Sequence, residues 1–252
     1  MATQPFPIRS QPGIQRDGTR LAGQAYTDGL WTRFQRGLPK KIGGYITLTD
    51  TLPEIVYGMD SYAQAGVNYQ HHGSTTFLTQ VRMNSVGNFI GQSNRTPGAG
   101  FNPSANNVWQ FSFLASSLGT SAQIVAHPGQ NLADIDSTVE TEFFFGDVSA
   151  AAVLVQSGLD PQSGGCVALY PYLLTYGNFG RVDVSNESNL AVAPIDSAFV
   201  TGSKIVKGLS LRGGGGGPAG LLWSLDSLIR ATFNSANPAD GIFAFEIGRA
   251  HV

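Results

Sequence analysis

Short apolar runs that recur about every eight to twelve residues constrain the fold of this chain most strongly. The run Val108–Leu114 alternates apolar and polar residues at period two, which is the pattern of a half-buried strand. The break at 177–180, Gly-Asn-Phe-Gly, separates two further runs and predicts a hairpin. Only 13% of the residues are charged, whereas 32 of 252 are glycine, which argues against long amphipathic helices. The sequence therefore predicts an all-β fold of short strands joined by tight turns.

The strand predictions cover most of the chain after residue 52. Residues 92–107 are predicted as a polar loop. Residues 221–232 fit either a helix or a strand followed by a tight turn, and their alternation favours the strand. The predicted strands are 55–60, 74–81, 108–114, 122–126, 142–145, 151–155, 166–170, 173–176, 181–184, 200–202, 204–211 and 221–224.

A weaker similarity repeats at about 45–55 residues, with units that begin near 54, 108, 164 and 219. Each unit has an apolar strand, a break and a second strand that ends in a glycine-bearing turn. A repeat of about 40–50 residues is typical of propeller blades. We therefore predict that residues 46–245 form short antiparallel blades of a partial, truncated β-propeller, whose ring is not closed.

The first 45 residues differ from the rest in both charge and pattern. They contain seven basic and two acidic residues, so this segment is basic while the remainder of the chain is acidic. Prolines and glycines interrupt it throughout, and large aromatic residues are spaced between them. Such spacing suits an extended strip that lies on another surface. We predict that residues 1–45 form an extended basic docking arm.

Within this arm, aromatic and basic side chains are the expected contacts with a partner. An alternative is nucleic-acid binding, in which the basic residues contact phosphates and the aromatic residues stack on bases. The spaced aromatics and the many breakers favour docking on protein. The residues predicted to dock are Trp31, Arg33, Phe34, Arg36, Lys40, Lys41 and Tyr45.

Few residues suggest catalysis or metal binding. Asp134 and Asp136 lie two apart, so they do not give the opposed carboxylates of a glycosidase, and a solvated turn is the expected structure. The glycine run after Arg212 lacks the Lys-Ser or Lys-Thr of a phosphate-binding loop. No Gly-x-Ser-x-Gly motif is present. The sequence therefore predicts a protein that is not an enzyme and has no cofactor and no bound metal.

The histidines and the single cysteine are interpreted as structural. His71 and His72 are adjacent, so on a strand they point to opposite faces and do not bind one metal. We expect them on the surface or in a loop, and His127 at the end of a strand. Cys166 lies in an apolar run and is expected to be a small buried residue.

The two ends of the chain lead to separate expectations. The N-terminus lacks the charged and apolar regions of a secretory signal, and no apolar stretch approaches the length of a membrane span. The last seven residues, 246–252, read Glu-Ile-Gly-Arg-Ala-His-Val, which matches a common short-read sequencing adapter translated in frame. We predict that this segment is a sequencing artefact and that the reading frame was cut by the end of a read.

One stretch of the arm resembles a known group of proteins. The run Asp-Gly-Leu-Trp-Thr-Arg-Phe at 28–34, followed by Gly-Leu-Pro-Lys-Lys-Ile-Gly-Gly-Tyr at 37–45, is similar to the N-terminal region of virion structural proteins of tailed bacteriophages. Further similar stretches lie at 125–129, 171–177 and 222–229. The resemblance covers most of residues 14–235.

This resemblance implies a propeller-like tail-hub or head–tail connector protein that helps to retain packaged DNA. It implies no catalytic residues. The expected partners are portal, tail or connector subunits and copies of the chain itself, with packaged DNA as a further contact and no membrane. The expected location is the virion, after synthesis in the cytoplasm of the bacterial host. Two alternatives stay open: a glycan-binding or glycan-degrading propeller of the tail, and a nucleic-acid-binding protein that acts through the basic arm.

Overall fold

The computed structural model describes residues 51–98, 107–115, 122–131, 133–187, 189–211, 217–234 and 241–249, together with four short strands in the first 50 residues. The chain divides into two compact units, Met1–Leu48 and Thr49–Val252. Each unit is described by itself below.

The first unit contains two small sheets. Strand β1 (Gln11–Ile14) pairs in parallel with β2 (Ala25–Tyr26). Strand β3 (Thr32–Gln35) pairs antiparallel with β4 (Leu38–Lys41) as a hairpin. The predicted docking arm lies within this unit.

The second unit is built from four antiparallel sheets, each with four strands that are hydrogen-bonded in sequence order. This architecture confirms the all-β prediction. We call the sheets blades one to four. Blade one has β5 (Gly58–Gln64), β6 (Val67–Gly73), β7 (Leu78–Asn84) and β8 (Phe89–Asn94); blade two has β9 (Asn107–Leu114), β10 (Gln123–Asn131), β11 (Phe144–Asp147) and β12 (Val155–Gln156). Blade three has β13 (Gly165–Leu169), β14 (Tyr172–Tyr176), β15 (Arg181–Val184) and β16 (Asp196–Phe199); blade four has β17 (Ile205–Leu211), β18 (Ala219–Ser224), β19 (Ser227–Phe233) and β20 (Phe243–Arg249).

The blades are arranged as in a propeller. The first strand of each blade contacts the first strand of the next, so that β5 meets β9, β9 meets β13 and β13 meets β17. The first strands are thus innermost and the last strands, such as β16 and β20, lie outermost. This arrangement confirms the prediction of propeller-like blades.

Apolar side chains fill the three seams between neighbouring blades. One cluster joins blades one and two, a second joins blades two and three, and the largest joins blades three and four. A buried tyrosine also connects three blades, because the Tyr176 hydroxyl accepts a hydrogen bond from the Gly208 amide at 2.7 Å and donates one to Gln110 Oε1 at 3.2 Å. The seams therefore combine apolar burial with a few directed polar contacts.

The seam between blades one and two depends on a close approach at Gly73. A Cβ atom at this position would lie 2.2 Å from Cγ of Trp109, so only glycine leaves room for the indole ring. Trp109 is buried, and its indole N–H donates to the carbonyl of Ser74 at 2.9 Å. The ring is thus fixed against the end of β6.

Strand boundaries differ from the sequence prediction mainly in blade one. Strands β5 and β7 begin at Gly58 and Leu78, later than predicted, and the predicted loop at 92–107 begins inside β8. Strand β6 was not predicted, because its sequence Val-Asn-Tyr-Gln-His-His-Gly is largely polar. Its pairing with both β5 and β7 covers these polar residues, so tertiary contacts decide its structure.

Most strands of blades three and four follow the prediction, but β16 and β20 were not predicted, and blade four begins at Ile205 and not near residue 219 as the repeat predicted. Strands β14 and β15 form the predicted hairpin, and its connection contains one 3₁₀ turn, Asn178–Gly180. Residues 221–232 form β18, a tight turn and β19, which confirms the strand interpretation over the helix. Residues 246–249 form the end of β20, which pairs with β19. That pairing does not test the origin of the segment, so the sequencing artefact stays a prediction.

The described ranges contain no helix that is long and apolar enough to cross a membrane.

Candidate functional site

The predicted docking residues are only partly described. Arg33 and Phe34 lie in β3, and Lys40 and Lys41 lie in β4, where the register places Arg33 opposite Lys40. The other three, Trp31, Arg36 and Tyr45, lie outside the described residues. The docking role of these seven residues stays a prediction.

The adjacent histidines are buried, so their expected surface location was wrong. His71 and His72 lie in β6, where neighbouring residues point to opposite faces as predicted. His71 Nε2 lies 3.1 Å from Gln80 Nε2 and 3.2 Å from Arg95 Nη1. Since both neighbours are donors, Nε2 accepts and the ring proton lies on Nδ1. Burial, together with the charges of Arg95 and His72, lowers the pKa of His71 to about 3.

Arg95 joins blade one to blade two through backbone carbonyls. Its side chain is only 1% exposed, and it donates from Nε to Ala152 O at 3.0 Å and from Nη2 to Asp147 O at 2.8 Å. Burial lowers its pKa to about 10, against the opposing charge of Asp147, so the guanidinium is still a cation at neutral pH. Every nitrogen of this guanidinium has an acceptor in the fold, which makes Arg95 a structural residue.

His127 is also buried, inside β10 and not at its end, so the predicted strand exit was wrong. Nδ1 accepts from the Gly129 amide at 3.2 Å, so Nε2 carries the proton and faces Gln162 O at 3.1 Å. Burial lowers the pKa of His127 to about 4, against backbone hydrogen bonds that raise it, while the charge of Lys204 lowers it further.

Two structural predictions are confirmed. Cys166 is buried in β13, and burial raises the pKa of its thiol to about 12, so the thiol is unreactive at neutral pH. Asp134 and Asp136 lie in an exposed turn. The sequence did not reveal what holds this turn: Lys204 Nζ donates to the carbonyls of Ile135 and Ser137, each at 2.8 Å.

The most developed polar site lies at blade three. Arg181 and Asp183 are two apart on β15, so their side chains lie on one face, and Ser197 lies opposite Asp183 on β16. Asp160 approaches from the segment between blades two and three and forms an ion pair with Arg181. Apolar residues 182 and 184 point to the other face and are buried. The alternation of β15 thus places the polar pair on one face of the blade.

Asp183 is the buried carboxylate that holds this site in place. Its carboxylate is fully buried and accepts from Gln162 Nε2 at 2.6 Å, from Ser197 Oγ at 2.6 Å and from Arg181 Nε at 3.0 Å. Both oxygens therefore have partners inside the protein. Three donors fix the carboxylate, which in turn orients the guanidinium of Arg181.

Arg181 and Asp160 form the accessible part of the site. Their side chains are 28% and 49% exposed, so both keep polar atoms at the surface. Partial burial acts to lower the pKa of Arg181, but hydrogen bonds and charge from Asp160 and Asp183 outweigh it and raise that pKa. Arg181 is thus a permanent cation that is held in one orientation and still reaches solvent.

These residues line a cavity of about 290 Å³, which we call the polar pocket. It is lined by Asp160, Arg181, Asp183 and residues 193–197. Its size is at the low end for ligand sites, which suits a small polar ligand or one unit of a longer one. A fixed guanidinium and a carboxylate together offer both donors and acceptors to ligand hydroxyl groups.

A second cavity of about 660 Å³ lies between the outermost strands of blades three and four, and we call it the edge groove. Both β16 and β20 are the last strands of their sheets, so each has one edge without a strand partner in the described part of the chain. Such edges offer backbone amides and carbonyls to a ligand. The groove is lined by residues 196–200, 241, 243–245 and 247.

The two cavities share Asp196 and Ser197. Asp196 faces blade four, where Oδ2 accepts from the Ile242 amide at 2.8 Å, and Oδ1 accepts from the Ser197 amide at 2.9 Å. Phe199 also lines the groove, is 72% exposed and lies opposite Arg181 in the register. The side chains of Phe199 and Arg181 therefore project from the same face of blade three.

Sequence reasoning did not find this site. Asp160 lies 23 residues before Asp183 and 36 residues before Asp196, so no local motif contains these carboxylates. One signal was present in Arg-Val-Asp-Val at 181–184, where polar and apolar residues alternate within a predicted strand. Among the described residues, no group of three or more His, Cys, Asp and Glu side chains is placed to hold a metal ion.

Comparisons with known proteins give a likeness in structure alone. No protein-family model matches the chain. No curated protein matches it either. An exo-β-1,3-galactanase from Phanerochaete chrysosporium, solved with β-1,3-galactotriose, has a TM-score of 0.46 and 10% identity over 77% of this chain and 50% of its own. An engineered GH43 glycoside hydrolase with endo-xylanase and exo-arabinofuranosidase activity has a TM-score of 0.39 and 8% identity over 76% of this chain and 41% of its own. The chain thus spans about half the length of these structures or less.

The comparisons correct the main functional prediction. The similar structures are glycoside hydrolases and not virion components, so the interpretation as a structural subunit of a phage particle was wrong. At this level of similarity they bear on the fold alone. The function is therefore argued below from the geometry of the chain.

Proposed function

We propose that this chain is a glycan-binding protein, and that it binds sugars at the polar pocket and the edge groove. The observation that carries this proposal is the partly exposed ion pair of Arg181 and Asp160. The fully buried Asp183 accepts a hydrogen bond from Arg181 and so fixes the orientation of its guanidinium. A sugar presents several hydroxyl groups, each both donor and acceptor. A preoriented guanidinium and carboxylate bind such groups without losing much conformational freedom.

The surroundings of the pair also suit a sugar. Phe199 offers an exposed apolar ring on the same face of blade three as Arg181, and the C–H faces of a sugar ring pack against such surfaces. The edge groove adds backbone donors and acceptors along β16 and β20. Its volume of about 660 Å³ is well within the range of ligand sites, so it accommodates further units of an oligosaccharide.

The same geometry favours binding over hydrolysis. A glycosidase needs two carboxyl groups that are free to exchange a proton or attack the sugar. Asp183 has all its partners inside the protein, and Asp160 is held by Arg181. The prediction that the chain is not an enzyme therefore stays a prediction, and the hydrolase names of the similar structures weigh only weakly against it.

Binding to immobilised glycans tests the proposal. Labelled full-length chain is applied to a panel of neutral, acidic and amino-sugar oligosaccharides, and the affinity for each positive glycan is measured by calorimetry. Chromatography of the same mixtures shows whether shorter sugars are released. We expect binding without release, whereas release of sugars would assign the degrading function instead.

Two variants locate the binding site. Arg181→Met removes hydrogen bonds to a charged group, worth about 1.5–3 kcal/mol, so we expect binding to weaken at least about tenfold. Phe199→Ala removes the exposed ring, and we expect a loss of about fivefold. Phe89→Ala, which removes a partly exposed ring from blade one, is the matched control and should bind as the unchanged chain does. Absence of binding to any glycan, or unchanged binding by both variants, would refute the proposal.

A further inference from the structure

We propose that the charges around the two cavities select against acidic sugars, and that Asp196 is the residue that makes this selection. This inference rests on the proposed glycan-binding function and specifies its ligand class as neutral or amino sugars.

The charges that line the cavities are unequal in sign. The polar pocket and the edge groove together are lined by three carboxylates, those of Asp160, Asp183 and Asp196, and by one guanidinium, that of Arg181. Arg181 contacts Asp160 and Asp183, and its single positive charge is therefore shared between two negative ones. Carboxylates therefore exceed cations by two charges around the cavities, although Asp183 itself is fully buried.

Asp196 contributes most to this excess because its charge has no cationic partner among the described residues. Within the part of the chain that the structure describes, its two oxygens accept the backbone amides of Ser197 and Ile242. These amides fix the carboxylate in place but leave its full negative charge.

The position of Asp196 makes its charge decisive. It lines both cavities and its carboxylate points towards blade four, so a ligand that extends from the polar pocket into the edge groove comes within range of this charge. The carboxylate of an acidic sugar would be repelled there, while a hydroxyl group would donate a hydrogen bond and an ammonium group would form an ion pair. The positive charge of Arg181 does not offset this repulsion, since the two carboxylates that it contacts already balance it.

The test compares pairs of oligosaccharides that have the same linkage and differ mainly in charge. Galacto-oligosaccharides and oligogalacturonides differ by oxidation of one carbon per unit, and chitin and chitosan oligosaccharides differ by an acetyl group. We expect the unchanged chain to bind the galacturonides at least about tenfold more weakly than the galactosides. We expect chitosan oligosaccharides to bind at least as tightly as chitin oligosaccharides. Added salt should narrow both differences.

A pair of variants then assigns the effect to one residue. Asp196→Asn keeps the size of the side chain and removes its charge, so the discrimination against galacturonides should fall by about tenfold. Asp60→Asn is the matched control, because Asp60 also lies on a strand and accepts the amide of the next residue, Ser61, at 2.7 Å. It lies in blade one, away from both cavities, and should leave the discrimination unchanged.

The outcomes separate the inference from the proposed function. If neutral and acidic oligosaccharides bind equally tightly, the chain binds glycans but the charge selection is refuted. If the discrimination is present and Asp196→Asn alters it no more than Asp60→Asn does, the assignment to Asp196 is refuted. If no oligosaccharide binds, the proposed function fails and the inference fails with it. Should Asp196→Asn not fold, as judged by thermal melting, the salt dependence of the unchanged chain decides the charge selection.

Discussion

Two arginines in this protein, Arg95 and Arg181, show how burial separates a structural role from the proposed binding role. Arg95 is 1% exposed and donates to two backbone carbonyls and an imidazole, so its guanidinium has no free direction. Arg181 keeps 28% of its side chain exposed and is held from one side by Asp183. The guanidinium of Arg95 thus joins two blades, whereas that of Arg181 faces a cavity. The two arginines differ in how many guanidinium donors are already hydrogen-bonded within the protein.

The largest expected effect concerns acid pH at the buried histidines. The pKa values of His71 and His127 lie near 3 and 4 in the folded chain, below the ordinary value of 6.5. Below pH 6.5 the unfolded chain therefore binds protons that the folded chain excludes, and stability falls as the pH falls. At pH 5 the expected loss is about 2 kcal/mol for each histidine, or about 4 kcal/mol together.

Urea unfolding at pH 7 and at pH 5 measures this loss. The groups that face the two rings, Arg95 and Lys204, are cations at both values and add to the cost of protonation. The pKa of His72 is lowered by burial as well and adds to the loss, and His71→Gln should remove about 2 kcal/mol of it. Equal stability at the two pH values would show that the rings are not buried as described.

The next effect is the removal of Arg95 from the seam between blades one and two. Arg95→Met keeps much of the side-chain volume but leaves two carbonyls and His71 Nε2 without their donor. We expect a loss of about 3 kcal/mol in the free energy of unfolding. Thermal and urea unfolding measure it. A loss below about 1 kcal/mol would mean that water replaces the guanidinium and that the seam does not depend on it.

Arg181→Met tests the other arginine, whose removal should affect stability much less than the removal of Arg95. Asp183 keeps its hydrogen bonds from Gln162 and Ser197, and the ion pair with Asp160 is largely solvated. We therefore expect a stability loss of only about 1 kcal/mol, together with weakened glycan binding. If Arg181→Met destabilises the chain as much as Arg95→Met does, the distinction between the two arginines fails.

The smallest effect is expected at Phe199. Its ring is 72% exposed, so Phe199→Ala should change the free energy of unfolding by less than about 0.5 kcal/mol. Its glycan affinity should fall all the same. A loss of binding with unchanged melting temperature would separate contact with a ligand from damage to the fold. A large fall in melting temperature would show instead that the ring stabilises blade three.

How much of the chain was predictable depends on whether its strands alternate apolar and polar residues. Strands such as β9 and β15 alternate clearly, and their positions follow from local sequence. Strand β6 carries His71, His72 and other polar residues, and only its neighbours on both sides show why these are buried. The prediction failed where a polar side chain finds its partner in another blade, since that partner is distant in sequence.

The candidate site shows the same division. The alternation in β15 places Arg181 and Asp183 on one face, and the four consecutive residues of this strand are enough to predict it. Asp160 and Asp196 join them only when the segment after blade two and the last strand of blade three come together. No spacing in the sequence predicts that these residues lie close together, so the site was missed.

By itself, the sequence determined the class of the fold, the blade-like repeat, the hairpin of blade three and the burial of Cys166. These depend on the period of apolar residues and on turn chemistry, which act over a few residues. The tertiary structure alone decided which charges are buried, which carboxylates share a cavity and which arginine faces solvent. The reason is physical: burial and charge pairing depend on distances between strands, and those distances are set only when the blades pack against one another.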